Sequence, residues 1–121
     1  MATQSNANTS QGLSVFTSID LDESEEDIKT SPGLLYGYYF HNAAAAVRYL
    51  RFYNATAANT TVGTTAALMV MPIPASTAGH IAFPDGINFD TAICAAVTTG
   101  LAANDTGAPA ASDFQLNAFY A

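Results

Sequence analysis

Cations are the scarcest feature of this sequence. Lysine and arginine together number 3 against 10 aspartates and glutamates, for a formal net charge of −7. Neutralising phosphates takes a groove or stripe of Lys and Arg, so nucleic acid is excluded as a partner. The 1 cysteine, Cys94, leaves no intramolecular disulfide to form, and its place in the apolar run 92–97 (AICAAV) predicts a buried thiol acting as a small hydrophobe. No apolar run approaches the ~20 residues that cross a bilayer, which gives no reason to expect a membrane partner. The opening MATQSNANTSQG lacks the basic start and apolar core of a signal peptide, so synthesis and folding in a cytoplasm are expected.

The residues of catalysis are equally sparse. His41 and His80, the 2 histidines, share no metal-ligand spacing with each other or with Cys94, and HxxxH, HExxH and CxxC are absent. The 8 glycines are scattered singly among turns, so no phosphate-cradling loop exists. Asp85 and Asp105 fall in turns, where an Asx cap accounts for them. No catalytic, cofactor-binding or metal residue is assigned, and an enzyme is the least expected class. The N-x-[ST] sequences at Asn8, Asn54, Asn59 and Asn104 are by-products of an Asn/Thr-rich composition.

Charge of either sign is rare as well. Only 11% of residues are charged, against the ~25% usual in soluble domains, while 50% are hydrophobic. Ala, Thr and Asn fill the gap, so the folded surface is neutral and polar and loses water cheaply against a neighbour. A protein packed against other protein surfaces fits that composition; an ordinary soluble domain with a Thr/Asn-rich skin is the plain alternative.

At 121 residues the chain has room for one core. Residues 1–12 are small and polar and are expected to be disordered alone. In 13–21 (LSVFTSIDL), Leu13, Val15, Thr17, Ile19 and Leu21 recur at period two opposite Ser14, Ser18 and Asp20, which predicts a strand or an extended arm laid on an apolar surface. Six acids then fall between Asp20 and Asp27, where Ser24 and Asp27 have the spacing of a capped helical turn that Pro32 would stop, or of a solvated face. Residues 1–31 are accordingly read as an extended N-terminal arm and 32–121 as the body.

In the body, strands are expected at 34–42 (LLYGYYFHN), 47–54 (VRYLRFYN), 66–73 (AALMVMPI), 80–83 (HIAF), 87–98 and 114–120 (FQLNAFY). Pro84-Asp85-Gly86 has turn chemistry, and Pro72 restricts its strand to an edge or a terminus. Seven or so short strands with nothing helical between them predict an all-β fold, an antiparallel β-sandwich of jelly-roll-like kind with the arm extending from it.

The ordered set SPGLLYGYYFHNAAAAVRYLRFYNATAAN, MPIPASTAGHIAFPDGINFDTAI and DTGAPAASDFQLNAFYA resembles a family of small tailed-phage virion proteins of the head decoration, or cement, type. The resemblance implies a β-sandwich on the outer capsid surface that staples the major capsid protein lattice, as an oligomer that is often a homotrimer, a dimer being the other option, with no catalytic residues to carry over. In that setting Leu13, Val15, Phe16, Ile19 and Leu21 of the arm would meet the partner by adding a strand to an exposed sheet edge. Tyr36, Tyr38, Arg48 and Arg51 are candidate oligomer or capsid contacts. The other function carried forward is a tail-associated or receptor-binding module, with tyrosines such as Tyr36, Tyr38, Tyr39, Tyr49 and Tyr53 stacking on sugars.

Overall fold

The structure is a computed structural model and describes residues 12–121. Runs rich in Tyr, Phe, Val and Ile put alternate side chains on opposite faces, and each run ends where Gly, Pro, Asn, Asp or Ser clusters turn the chain. The strands are β1 (Ser14–Ser18), β2 (Glu26–Lys29), β3 (Gly33–Asn42), β4 (Arg48–Tyr53), β5 (Met69–Ile73), β6 (Thr77–Phe89), β7 (Ile93–Thr98) and β8 (Phe114–Tyr120), with one 3₁₀ turn at Ala57–Asn59.

Two four-stranded antiparallel sheets form, in the orders β1-β8-β3-β6 and β2-β7-β4-β5. Strand β1 pairs with β8, β2 with β7, β3 with β6 and β4 with β5. The chain is thus one long hairpin folded over so that its successive strand pairs fall alternately in the two sheets, which is the jelly roll. The predicted all-β sandwich is the observed fold.

Both sheets bury one face between them. Leu35, Tyr38, Phe40, Phe114, Leu116 and Ala118 of the first meet Ile28, Leu50, Phe52, Ile93, Ala95 and Val97 of the second. The Tyr38 and Phe52 rings join the layers at 5.4 Å and 44°, within the range where tilted aromatic pairs attract. At one end of the sandwich the fully buried Asn42 replaces what a core hydrophobe cannot offer. Its amide donates to the Ala46, Ile73 and Pro74 carbonyls at 3.1, 3.0 and 3.0 Å, and its Oδ1 accepts the Ala44 N–H at 3.0 Å. One side chain therefore fixes both the β3–β4 and the β5–β6 connections.

Several expectations change. Residues 13–21 do not form a free arm, because β1 is paired along its whole length, from Ser14 with Tyr120 to Ser18 with Leu116. The phase of its pattern is also reversed. Phe16 packs against the core and Ser18 is buried, whereas Leu13, Val15 and Ile19 are exposed. Leu21, past the strand, is fully buried, with its N–H on the Phe114 carbonyl at 3.0 Å. A boundary at residue 31 consequently separates nothing, since β1 and β2 belong to the two sheets. The acidic run supplies strand β2 in place of a helical turn. Pro84-Asp85-Gly86 is no turn between strands but an excursion within β6: Leu35 pairs with Ile87 and Gly37 with Ala82, so four residues on one strand face one, Tyr36, on the other. Gly86 takes φ +78° there, a conformation cheap only for glycine. The expectation for the polar leader, residues 1–11, lies outside the described residues.

The placement of Leu21 and Ile19 is testable by urea unfolding. Leu21→Ala should cost roughly 2–5 kcal/mol, the range for emptying a leucine site in a core. Ile19→Ser, two residues away, should change stability by no more than about 0.5 kcal/mol.

Candidate interaction face

The two outer faces of the sandwich differ in kind. Every residue of β7 is buried, although only Ile93, Ala95 and Val97 point into the core. Cys94 and Ala96 point outward and are covered by the connection between β4 and β5, where Val62 and Ala67 pack on them and on Tyr53. The Asp27 carboxylate accepts the Ala57 N–H at 2.7 Å, and the Thr60 hydroxyl lies 3.4 Å from Cys94 Sγ. Burial pushes the Cys94 thiol up to about 11, so it stays protonated near neutrality.

Arg51 holds the rest of this cover. It is buried, with Nε on the Thr98 hydroxyl at 2.9 Å and one terminal nitrogen directed at the Gly100, Leu101 and Ala102 carbonyls at 2.8, 3.2 and 3.0 Å. The loop after β7 is thereby drawn over the sheet and closed by Asp105, whose Oδ1 accepts the Gly100 and Gly107 N–H groups. An open groove of about 370 Å³ remains between segments 63–67 and 101–104, over Arg51 and Val70. Its one charged side chain is already engaged by the loop. Among the described residues, no three His, Cys, Asp or Glu side chains come together as a metal site would need.

Among the described residues, the first sheet has no such cover. The strand registers set the outward residues in rows across β1, β8, β3 and β6: Val15, Phe119 and Ala82, with the buried Gly37 between the last two; then Thr17, Asn117, Tyr39 and His80; then, from β8 onward, Gln115, His41 and Ala78. None is Asp, Glu, Lys or Arg. Val15 is 57% and Tyr39 44% exposed, and Leu13 and Ile19 extend the β1 side at 49% and 71%. The Thr17 hydroxyl donates to Asn117 Oδ1 at 2.7 Å. Among the described residues, β1 pairs on one side only and ends the sheet.

Of the arm residues predicted to meet a partner, Leu13, Val15 and Ile19 are at the surface, Phe16 is half-buried against the core, and Leu21 is inside it. Leu21 is withdrawn as a contact. So are Tyr38, which sits in the core, and Arg51, whose donors are spent on the loop. Arg48 pairs with Asp113 at 3.1 Å and donates to the Val47 carbonyl at 3.1 Å, so it also serves the chain's own structure. Tyr36 is half-buried beside Gly86 at the β6 excursion. Phe119 and Ala82 were not singled out from the sequence, and His80 was weighed there only for metal binding and catalysis. The alternation of Gln115, Asn117 and Phe119 with buried Leu116 and Ala118 marks β8, but only the register joins them to the other three strands.

Removing the Arg51 clamp with Arg51→Met should destabilise the protein by roughly 2–4 kcal/mol, because three carbonyls and a hydroxyl lose a charged donor; limited proteolysis should then cut within 99–107 first. A second outcome concerns alkali. Burial raises the Tyr38 phenol to about 12 and the Cys94 thiol to about 11, from ordinary values of 10.0 and 9.0. The folded state therefore holds these protons more tightly than the unfolded chain, so stability is full below pH 9 and falls as pH rises from there to 12. Because the buried Tyr38 hydroxyl has no hydrogen-bond partner, Tyr38→Phe should leave stability at pH 7 unchanged or raise it by up to about 1 kcal/mol and should flatten the alkaline decline. Comparison with protein-family models, with curated proteins and with solved structures finds no match to this chain.

Proposed function

We propose that this chain is a decoration protein of a tailed-phage head, which is made in the host cytoplasm, binds the outside of the major capsid protein lattice and stabilises it. The observation that carries the reading is the contrast between the two sheets among the described residues: one is covered by the chain's own loops, while the other presents rows without Asp, Glu, Lys or Arg beside the β1 edge. Such a surface has little to catalyse with and is cheap to desolvate, which suits permanent packing against protein. The resemblance of the ordered motifs to virion proteins supplies the setting, and the jelly roll is an architecture used by viral capsid domains.

Attachment follows from β1. Its outer edge, unpaired among the described residues, offers N–H and C=O groups to one more strand, and Leu13 and Ile19 stand at either end to be covered when a partner strand arrives. Single attachments of this size are weak, and a lattice makes them collectively strong because each engaged copy raises the local concentration of the next. A tail-associated or receptor-binding role is the second reading, and it rests on the exposed Tyr39 ring between Asn117 and His80, a flat platform on which a sugar can stack.

Copy number in purified particles separates the readings: hundreds of copies support decoration, and a few to tens support a tail part. With Leu13→Lys and Ile19→Lys combined, occupancy of particles stripped of the protein should fall at least about tenfold while the isolated protein keeps its melting temperature. Unchanged occupancy would refute attachment through β1.

A further inference from the structure

We propose that β1 is a two-position strand, which lies on β8 in the observed register and in a second register one residue along that turns Val15 and Ile19 from the surface into the sandwich. The slip itself needs no partner; its use as a control on attachment rests on the decoration reading above.

The slack for the slip is built into the chain. Ser18 sits opposite Leu116, while the Leu21 N–H bonds the Phe114 carbonyl at 3.0 Å, as a residue opposite Phe114 does. Three steps along the first segment therefore cover two along β8, and the surplus residue is taken up in the bend at Ile19 and Asp20. Leu21 stays where it is: it is fully buried, and the carbonyl of the next residue, Asp22, accepts the Val97 N–H at 2.8 Å. Drawing β1 one place towards its N-terminal end pulls the bend straight. Ile19 then faces Leu116, Thr17 faces Ala118 and Val15 faces Tyr120, and the ladder runs unbroken to Leu21. A one-residue slip also turns every side chain over. Because β8 offers the same N–H and C=O groups in both registers, ladder bonds are exchanged and not lost.

The side chains of β1 suit both positions. As observed, Phe16 and Ser18 face inward while Val15 and Ile19 are exposed. After the slip Thr17 and Ile19 take the two inner seats and Phe16 turns out. These two pairs have nearly the same total volume, so the exchange conserves the filling of the core. The polar contacts favour the observed register. The Ser18 hydroxyl donates to the Glu26 carboxylate at 3.0 Å, that of Thr17 to Asn117 Oδ1 at 2.7 Å, and Asp20 accepts the Ser112 N–H at 2.7 Å. Exposed bonds of this kind contribute little net stability, which leaves the slipped register a minor population of about 0.1–10%. Among the described residues β1 pairs on one side only, so no other strand has to move.

The slip makes the attachment surface one that is shown or hidden. A partner that covers Ile19 selects the observed register, and the slipped register withdraws that residue.

Two cysteine pairs that share a position test this in the full chain. Thr17→Cys with Asn117→Cys joins side chains that face each other on the outside in the observed register. Ser18→Cys with Asn117→Cys places its sulfurs together only after the slip, because in the observed register Ser18 is buried opposite Leu116 and points away from Asn117. Cys94 is buried and protonated, so it does not compete. Under a mild oxidant the first pair should close rapidly. The second should close about tenfold to thousandfold more slowly, yet faster than global unfolding measured in the same buffer. Once each bridge is closed, Ile19→Ser should lower the melting temperature by about 5 °C or more with the bridge at position 18 and leave it unchanged with the bridge at position 17. Closure of the second pair only at the rate of global unfolding, or a position-18 bridge indifferent to Ile19→Ser, would overturn the two-register strand. Binding to stripped particles should be at least about tenfold weaker with the bridge at position 18 than with that at position 17. If both bridged forms bind alike, control of attachment is refuted; if neither binds, the decoration reading is refuted and the slip stands.

Discussion

The guanidinium of Arg51 is the interaction on which the asymmetry of this molecule depends. Left to its strands alone, the sandwich would have two similar outer faces. Arg51 gathers three consecutive carbonyls and the Thr98 hydroxyl, and so converts a loop of small residues into a lid over β4 and β7. Together with the β4–β5 connection, whose Val62 and Ala67 cover Cys94 and Ala96, that lid leaves an alanine-rich strand buried on both sides. With the lid in place, the two outer faces of the described sandwich differ: one lies under loops, the other is made of strand side chains.

Wrapping a single hairpin around itself places the termini of the described chain side by side: β1 near one end and β8 at the other are neighbours. Most pairings join residues distant in sequence, so little is stable until the whole is assembled. Asn42 addresses this at the closed end of the hairpin, where one amide registers two loops that the hydrophobic pattern does not specify. At the open end Leu21 does the corresponding work, returning the chain from the surface of one sheet to the core before it crosses to the other.

The body strands were legible because aromatic and β-branched runs between turn residues leave few alternatives, and 114–120 was read to the residue. Of the elements that were misread, two show a definite reason. In LSVFTSIDL the apolar residues at odd positions outnumber those at even ones, so periodicity pointed Val15 inward; register with β8 decided otherwise, because Phe16 and Ser18 lie opposite Ala118 and Leu116, which face the core. Pro84-Asp85-Gly86 has the chemistry of a turn, and it does turn, but the strand resumes beyond it beside the same partner. The candidate face was the least legible part. Its residues come from four segments of the chain and share no local signature, and what marks them is a property of the set, the absence of charge. Arg51 and Tyr38 were taken for surface contacts because a guanidinium and a phenol usually seek water, and only the structure shows a loop of carbonyls around one and a ring of aromatics around the other.

The excursion in β6 has a consequence for the form that assemblies can take. β6 is an edge strand of thirteen residues, and an edge that long and that poor in charge would ordinarily invite further strands and grow into fibres. Pro84 lacks the donor such growth needs, and the four-residue detour takes the edge out of line with any straight partner. Open-ended stacking is blocked along that side.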